Sequence, residues 1–216
     1  MNRSEIKNLA KEKIKGKKWD ILWPLLVISF ISSALSTLFG PKIDLTAMES
    51  LEELQNIHFS FGQYGISSLI TIIISVITAG YTKYLLNYVR TGKFNTDEII
   101  NTIKAKWLDL LIADVLVTII VAALSMLFVI PGIIAGLALA MTTFLIIDKD
   151  VKGHESIKES AELMKGHKWD YFVFHLSFIG WYLLVPFTLG ILLIWLVPYV
   201  NVATAIYYDK LISKKN

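Results

Sequence analysis

The 216-residue sequence contains no cysteine, and only 18% of its residues are charged, against about 25% in soluble domains. Without cysteine there is no disulfide framework, no thiolate metal site and no thiol nucleophile. The motifs GxSxG and HExxH and the glycine-rich phosphate loop with its lysine are also missing, and the four histidines are scattered along the chain. We therefore expect a non-catalytic protein with no cofactor, no bound metal and no nucleic-acid partner.

Long apolar blocks occupy most of the chain. A bilayer core requires roughly 20 apolar residues per helix. Six blocks approach that length and predict six transmembrane helices: Trp19–Phe39, Ile66–Val89, Trp107–Ile130, Gly132–Ile147, Trp169–Val185 and Gly190–Tyr208. The predicted fold is all-α, a polytopic membrane helix bundle that forms a single integral membrane domain over residues 1–216.

The basic residues predict the orientation of this bundle. Twenty of the 21 lysines and arginines fall before Trp19, between Lys83 and Lys106, between Lys149 and Lys168, or after Tyr208. Positively charged segments stay on the cytoplasmic side of a membrane. We therefore expect both termini in the cytoplasm of a bacterial cell, with the chain embedded in the cytoplasmic (inner) membrane.

One short phrase occurs twice, as KGKKWD from Lys15 and as KGHKWD from Lys165, and KAKW before Leu108 is a degraded third copy. A short helix with an apolar stripe precedes each copy, for example through Ile6, Ala10 and Ile14. The pattern predicts three degenerate repeats, about 1–90, 91–150 and 151–216. Each repeat would consist of a cytoplasmic interfacial amphipathic helix, a basic joint and a membrane hairpin.

Interface preferences account for each letter of the phrase. Glycine accepts the left-handed dihedrals of a turn, lysine is attracted to anionic headgroups, tryptophan prefers the membrane interface, and an acid is favoured at a helix start. We interpret the phrase as an anchor for entry into the membrane, with a dedicated ligand site as the alternative. The anchor residues are Lys15, Gly16, Lys18, Trp19, Asp20, Lys106, Trp107, Lys165, Gly166, Lys168, Trp169 and Asp170.

Three polar residues interrupt the apolar blocks. Asp114 and His175 lie seven and six residues past Trp107 and Trp169, and Asn201 lies in the last block. Ionisable residues inside a membrane are candidates for function and need a partner. We expect Asp114 and His175 to pair with each other, either as a structural hydrogen bond or as part of a transport pathway.

Two stretches of the chain resemble a known family. The closing residues, from ESIKESAELMKGHKWDYFVFHL to VPYVNVATAIYYD, and the opening RSEIKNLAKEKIKGKKWDIL are similar to domain-of-unknown-function family 975. The resemblance implies a bacterial polytopic membrane protein of unassigned activity. It also suggests a distant similarity to the membrane domain of some glycerophosphodiester phosphodiesterases, whose catalytic domain is absent.

Three functions are compatible with these features. The first is a non-catalytic envelope protein that binds, senses or protects, for example through immunity to a membrane-active peptide. The second is a small transporter or export accessory that uses the intramembrane polar residues. The third and weakest is a membrane enzyme acting on lipid headgroups. The expected partners are anionic lipid headgroups at the cytoplasmic face and an unidentified peptide or membrane protein.

Overall fold

The computed structural model describes residues 2–39 and 61–214, and this part of the chain is 85% helical with no strand. The all-α prediction is therefore confirmed. The helices are α1 (Arg3–Ile14), α2 (Lys18–Phe39), α3 (Phe61–Thr91), α4 (Asp97–Leu127), α5 (Val129–Leu139), α6 (Thr142–Lys149), α7 (Gly153–Leu163), α8 (Lys168–Leu176), α9 (Ile179–Leu183) and α10 (Leu193–Ser213), with a 3₁₀ turn at Pro186–Thr188.

Four segments are long and apolar enough to cross a membrane: Lys18–Phe39, Leu69–Thr91, Asp97–Leu127 and Val129–Lys149. They correspond to the first four predicted blocks. The chain is thus a protein with membrane-type helices, although the connection between the third and fourth differs from the prediction. It consists of Phe128 alone, in extended conformation, so that α5 begins three residues before the predicted Gly132.

The fourth crossing segment is broken between α5 and α6, and a serine from α7 supplies hydrogen-bond partners for the backbone at the break. The buried Ser160 hydroxyl donates to the carbonyl of Ala138 at 2.9 Å and accepts from the Met141 N–H at 3.1 Å. These two backbone groups would otherwise be costly to bury, since the helix no longer supplies their partners.

The last two predicted blocks do not form long apolar helices. Trp169–Val185 is divided into α8, α9 and the 3₁₀ turn. Turns at Ser177 and Leu184 interrupt the helix before the chain reaches Pro186. The block from Gly190 becomes helical only at Leu193, and α10 carries asparagine near its middle and tyrosine and charged residues along its second half. Six crossings therefore remain a prediction for this part of the chain.

The main core lies where α1, α3 and α10 meet. Ile6, Ala10 and Ile14 of α1 are completely or almost completely buried, and α1 packs chiefly against α10. Burying these apolar side chains is favourable at roughly 25 cal/mol per Å². The predicted interfacial amphipathic helix would turn its apolar stripe toward lipid, whereas in α1 this stripe is covered by protein.

Candidate functional site

The two predicted glycine joints have the same backbone geometry. Gly16 and Gly166 adopt left-handed dihedrals, with φ of 76° and 79°. In both joints the residue after the glycine donates its N–H three residues back, Lys17 to Ile14 at 2.9 Å and His167 to Met164 at 3.0 Å. The prediction that glycine turns the chain is confirmed, because an L side chain is strained at these dihedrals.

The anchor side chains around these turns face outward. Trp19 and Trp169 are 70% and 73% exposed on the protein surface, and Trp107 is 52% exposed. The lysines of the joints, Lys15, Lys18, Lys165 and Lys168, are exposed or half-buried. This arrangement suits contact with headgroups, and the anchoring role of these residues stays a prediction.

The middle copy of the phrase forms no joint. Helix α4 runs without interruption from Asp97 to Leu127, because Ala105 stands where the other copies have glycine and alanine favours helix. Lys106 forms an ion pair with Asp150, and its hydrogen bond and charge hold the pKa of that carboxyl below its usual value. The expectation of a basic turn before Trp107 is therefore wrong.

The acids of the second and third copies have different partners. Asp109 accepts a hydrogen bond from the Gly153 N–H at 2.9 Å and so caps the start of α7 from the side of α4. Asp170 lies 3.6 Å from the guanidinium of Arg3. Both acids thus connect their helices to another one, a role that the sequence did not indicate. The three-fold repeat stays a prediction, with its middle unit changed in structure.

Tyrosines of α3 hold the first joint. The hydroxyls of Tyr81, Tyr84 and Tyr88 donate to the backbone carbonyls of Ile21 (3.1 Å), Asp20 (2.6 Å) and Lys13 (2.5 Å). The middle contact has a clear cause. Pro24 lies inside α2 and has no N–H, so the Asp20 carbonyl lacks its helical donor and Tyr84 supplies one.

Replacing Tyr84 with phenylalanine is expected to lower the free energy of unfolding by about 1–3 kcal/mol, because the Asp20 carbonyl is left without a donor. In a Pro24→Ala background the restored backbone N–H takes over this carbonyl, and the cost of Tyr84→Phe should then shrink. Unfolding of purified protein in detergent, measured for the wild type, both single variants and the double variant, tests this coupling. Equal costs in both backgrounds would contradict it.

The three predicted intramembrane polar residues do not meet. Asp114 accepts a hydrogen bond from Ser75 of α3 at 3.1 Å. The Nε2 atom of His175 is buried without a hydrogen-bond partner in the described part of the chain, with the ring edge-on to Tyr171. The predicted pairing between Asp114 and His175 is wrong. The Asp114 carboxylate faces α3, whereas His175 lies in α8, which packs against α10.

Asp114 and Asn201 line two separate small cavities. Asp114 and Ser75 face a space of about 70 Å³ between α3, α4 and the α5–α6 segment. Asn201 faces a space of about 140 Å³, which it lines together with the hydroxyl-bearing side chains Thr78, Tyr81, Thr82 and Thr204. A continuous polar path through all three predicted residues is therefore not formed.

The sequence did not indicate a polar cluster at the carboxyl-terminal ends of α3, α6 and α10. The Arg90 guanidinium forms a bidentate pair with Asp148 and also donates from Nε to Asp209 at 2.7 Å. The Tyr208 hydroxyl donates to Asp148 at 2.9 Å, and the side chain of Asp148 is only 5% exposed. Arg90, Asp148 and the adjacent pair Tyr208 and Asp209 come from three helices that are at least 58 positions apart, so no local motif predicts the cluster.

A protein-family model matches the carboxyl-terminal part of the chain. Residues 114–215 match the model of a family described as "Protein of unknown function (DUF975)". This confirms the resemblance for the carboxyl-terminal part, whereas the opening phrase from Arg3 and the similarity to phosphodiesterase membrane domains stay predictions. Neither a curated protein nor a solved structure matches the chain.

Proposed function

We propose that the chain, of which residues 114–215 match the model of the DUF975 family of proteins of unknown function, is a non-catalytic integral protein of a bacterial cytoplasmic membrane. Both termini and the Lys-Gly-Lys-Trp joints lie on the cytoplasmic side. Its role is to bind, sense or protect at the envelope, for example against a membrane-active cationic peptide.

The use of polar groups within the apolar helices carries this proposal. Asp114 is hydrogen-bonded to Ser75, and Ser160 to the backbone at the α5–α6 break. Arg90 is paired with two carboxylates. Hydrogen bonds of this kind connect membrane helices, each contributing about 0.6–2 kcal/mol. The polar groups therefore stabilise a fixed scaffold, which suits a binding or protective protein better than one that cycles through different states.

The joints support the proposed orientation. Each places lysines next to an outward-facing tryptophan at the start of an apolar segment, and this combination is favoured where anionic cytoplasmic headgroups meet the hydrocarbon core. The positions of the basic residues along the sequence favour the same side.

A protective role predicts that deletion of the gene raises sensitivity to cationic membrane-active peptides, and that the wild-type protein restores resistance. Trp169→Ala and Lys168→Glu should then lower the amount of protein in the membrane, and resistance should fall in proportion. Lys158→Glu, at an exposed position of α7 away from the joint, is the matched control. Immunoblots of membrane fractions and growth inhibition assays measure the two quantities.

Two results would contradict this account. Unchanged sensitivity of the deletion strain to a panel of such peptides would refute the protective role. Normal amounts of a Trp169→Ala protein that has lost resistance would show that the phrase is a binding site rather than an anchor.

The cavity around Asn201 favours a second candidate, a small transporter. Its hydroxyl-bearing lining and volume of about 140 Å³ would hold a few water molecules, at roughly 30 Å³ each. Asn201→Leu fills this space with an apolar side chain. A transporter should lose activity while its amount in the membrane is unchanged, whereas a scaffold should retain its protective effect.

A further inference from the structure

The segment from α8 to α10 folds back on itself as a hairpin. Aromatic rings pair across its two arms at successive levels, with centroids 5.0 Å apart for Tyr171 and Tyr207, 5.3 Å for Phe178 and Tyr199, and 5.4 Å for Trp181 and Trp195. The arms are therefore antiparallel, and the turn between them lies near Leu189.

Two lysines of α1 show where this hairpin leaves the aqueous side. The ammonium of Lys7 donates to the carbonyl of Ser177 at 3.3 Å and lies 4.7 Å from the centre of the Phe178 ring. The ammonium of Lys11 lies 5.9 Å from the centre of the Tyr199 ring. Because lysine keeps its charge among headgroups or water, Phe178 and Tyr199 lie at headgroup level on the two arms.

The arms beyond this level are too short to cross a bilayer. Leu189 lies eleven residues after Phe178 and ten before Tyr199. At a helical rise of 1.5 Å per residue the arms reach about 15–17 Å, half of a hydrocarbon core of roughly 30 Å.

Helix α3 provides an internal comparison for this length. Tyr81 lines the same cavity as Asn201, which lies two residues beyond Tyr199. From Tyr81 back to Phe61, α3 continues for twenty residues, or about 30 Å. From one common level, α3 therefore extends far enough to cross the bilayer, whereas the hairpin ends near its centre.

The tip of the hairpin is suited to hydrocarbon. Leu189 is 92% and Phe187 85% exposed, and the sequence holds no Asp, Glu, Lys or Arg between Asp170 and Asp209. The backbone of the turn is hydrogen-bonded internally, from Leu189 to Pro186 at 3.2 Å, from Gly190 to Val185 at 3.1 Å and from Ile191 to Thr188 at 3.0 Å. Such pairing is required where no water is present.

We propose that the hairpin enters the cytoplasmic leaflet, ends near the bilayer centre and returns to the same side, with lipid acyl chains as the partner of its exposed tip. The inference rests on the cytoplasmic placement of α1 in the proposed function. The chain would then cross the membrane four times and carry an apolar wedge in the cytoplasmic leaflet.

Spin labels at the tip test this inference in the whole 216-residue chain, which contains no native cysteine. Phe187→Cys and Ile191→Cys carry the nitroxide, and Lys158→Cys and Phe128→Cys are references for the cytoplasmic side and for the α4–α5 turn. The protein is reconstituted in vesicles of phosphatidylethanolamine and phosphatidylglycerol. Collision rates with oxygen and with a water-soluble nickel complex, present on both sides, report the depth of each label.

Both tip labels should show several-fold lower collision with nickel than Lys158→Cys, several-fold higher collision with oxygen, and a depth of about 15 Å below the headgroups. Nickel collision at the tip as frequent as at Phe128→Cys would overturn the proposal and favour two full crossings. If Lys158→Cys instead reacts with a membrane-impermeant thiol reagent in intact cells, the proposed cytoplasmic placement fails whatever the depth of the tip, so the two failures are distinguishable.

Discussion

Replacing Arg90 with methionine is expected to cost about 3–5 kcal/mol of unfolding free energy. Arg90 joins the ends of α3, α6 and α10 through Asp148 and Asp209, and Asp148 is almost completely buried. Removing one partner of a buried pair leaves an uncompensated charge, which is costlier than losing the attraction alone. Unfolding of purified protein in detergent, followed by circular dichroism, measures the effect.

The ion pair between Lys106 and Asp150 is the matched control. Asp150 is 79% exposed, and exposed pairs contribute about 0–1 kcal/mol. Lys106→Met should therefore change stability little, and Asp148→Asn should restore much of what Arg90→Met loses, because it removes the unpaired charge. Equal losses for the Arg90 and Lys106 variants would show that the cluster is not a buried clamp.

Gly153→Ala is expected to destabilise the protein by about 1–3 kcal/mol, the usual cost of overpacking. A Cβ at Gly153 would overlap the carbonyl oxygen of Asp109 and lie 3.0 Å from its carbonyl carbon. Neither backbone can yield without moving α7 away from α4, which would also stretch the hydrogen bond from Gly153 to the Asp109 carboxylate.

Gly136→Ala is the matched control, and we expect it to stabilise the protein rather than destabilise it. Gly136 lies inside α5. Apart from its chain neighbours and the nearby backbone of α5, no described atom lies within 4 Å of a Cβ added at Gly136. Alanine should therefore raise helix stability, by up to about 1 kcal/mol. Thermal unfolding of both variants in the same detergent compares them. A loss at Gly136 as large as at Gly153 would contradict the close approach of α4 and α7.

The sequence predicts well those features that depend on neighbouring residues. Apolar run length identified the first four membrane-type helices, because hydrocarbon thickness and helical rise fix the length that is needed. Glycine in KGKKWD and KGHKWD identified two left-handed turns, because few other residues accept those dihedrals. Apolar run length and the glycine positions both depend only on residues that are close together in the sequence.

The features that the sequence did not predict depend on contacts between distant residues. Ala105 keeps α4 straight, so the third copy of the phrase is helix rather than joint. Asp114 and His175 are at matching distances from their tryptophans, yet depth alone does not fix the face of a helix on which a side chain lies. The Arg90 cluster and the pairing of Tyr84 with Asp20 required the packing of α3 against α2, α6 and α10.

Accessibility of single cysteines in intact cells tests the central claim, that the joints are cytoplasmic and the chain enters the membrane from that side. Lys93→Cys lies between α3 and α4 and Lys158→Cys lies on α7, both at exposed positions. Glu52 is outside the described residues, and we expect it outside the cell because it lies between the first two predicted transmembrane helices of a chain with a cytoplasmic N-terminus. A membrane-impermeant thiol reagent should label Glu52→Cys in intact cells and the other two only after permeabilisation. Labelling of Lys93→Cys in intact cells would contradict the account.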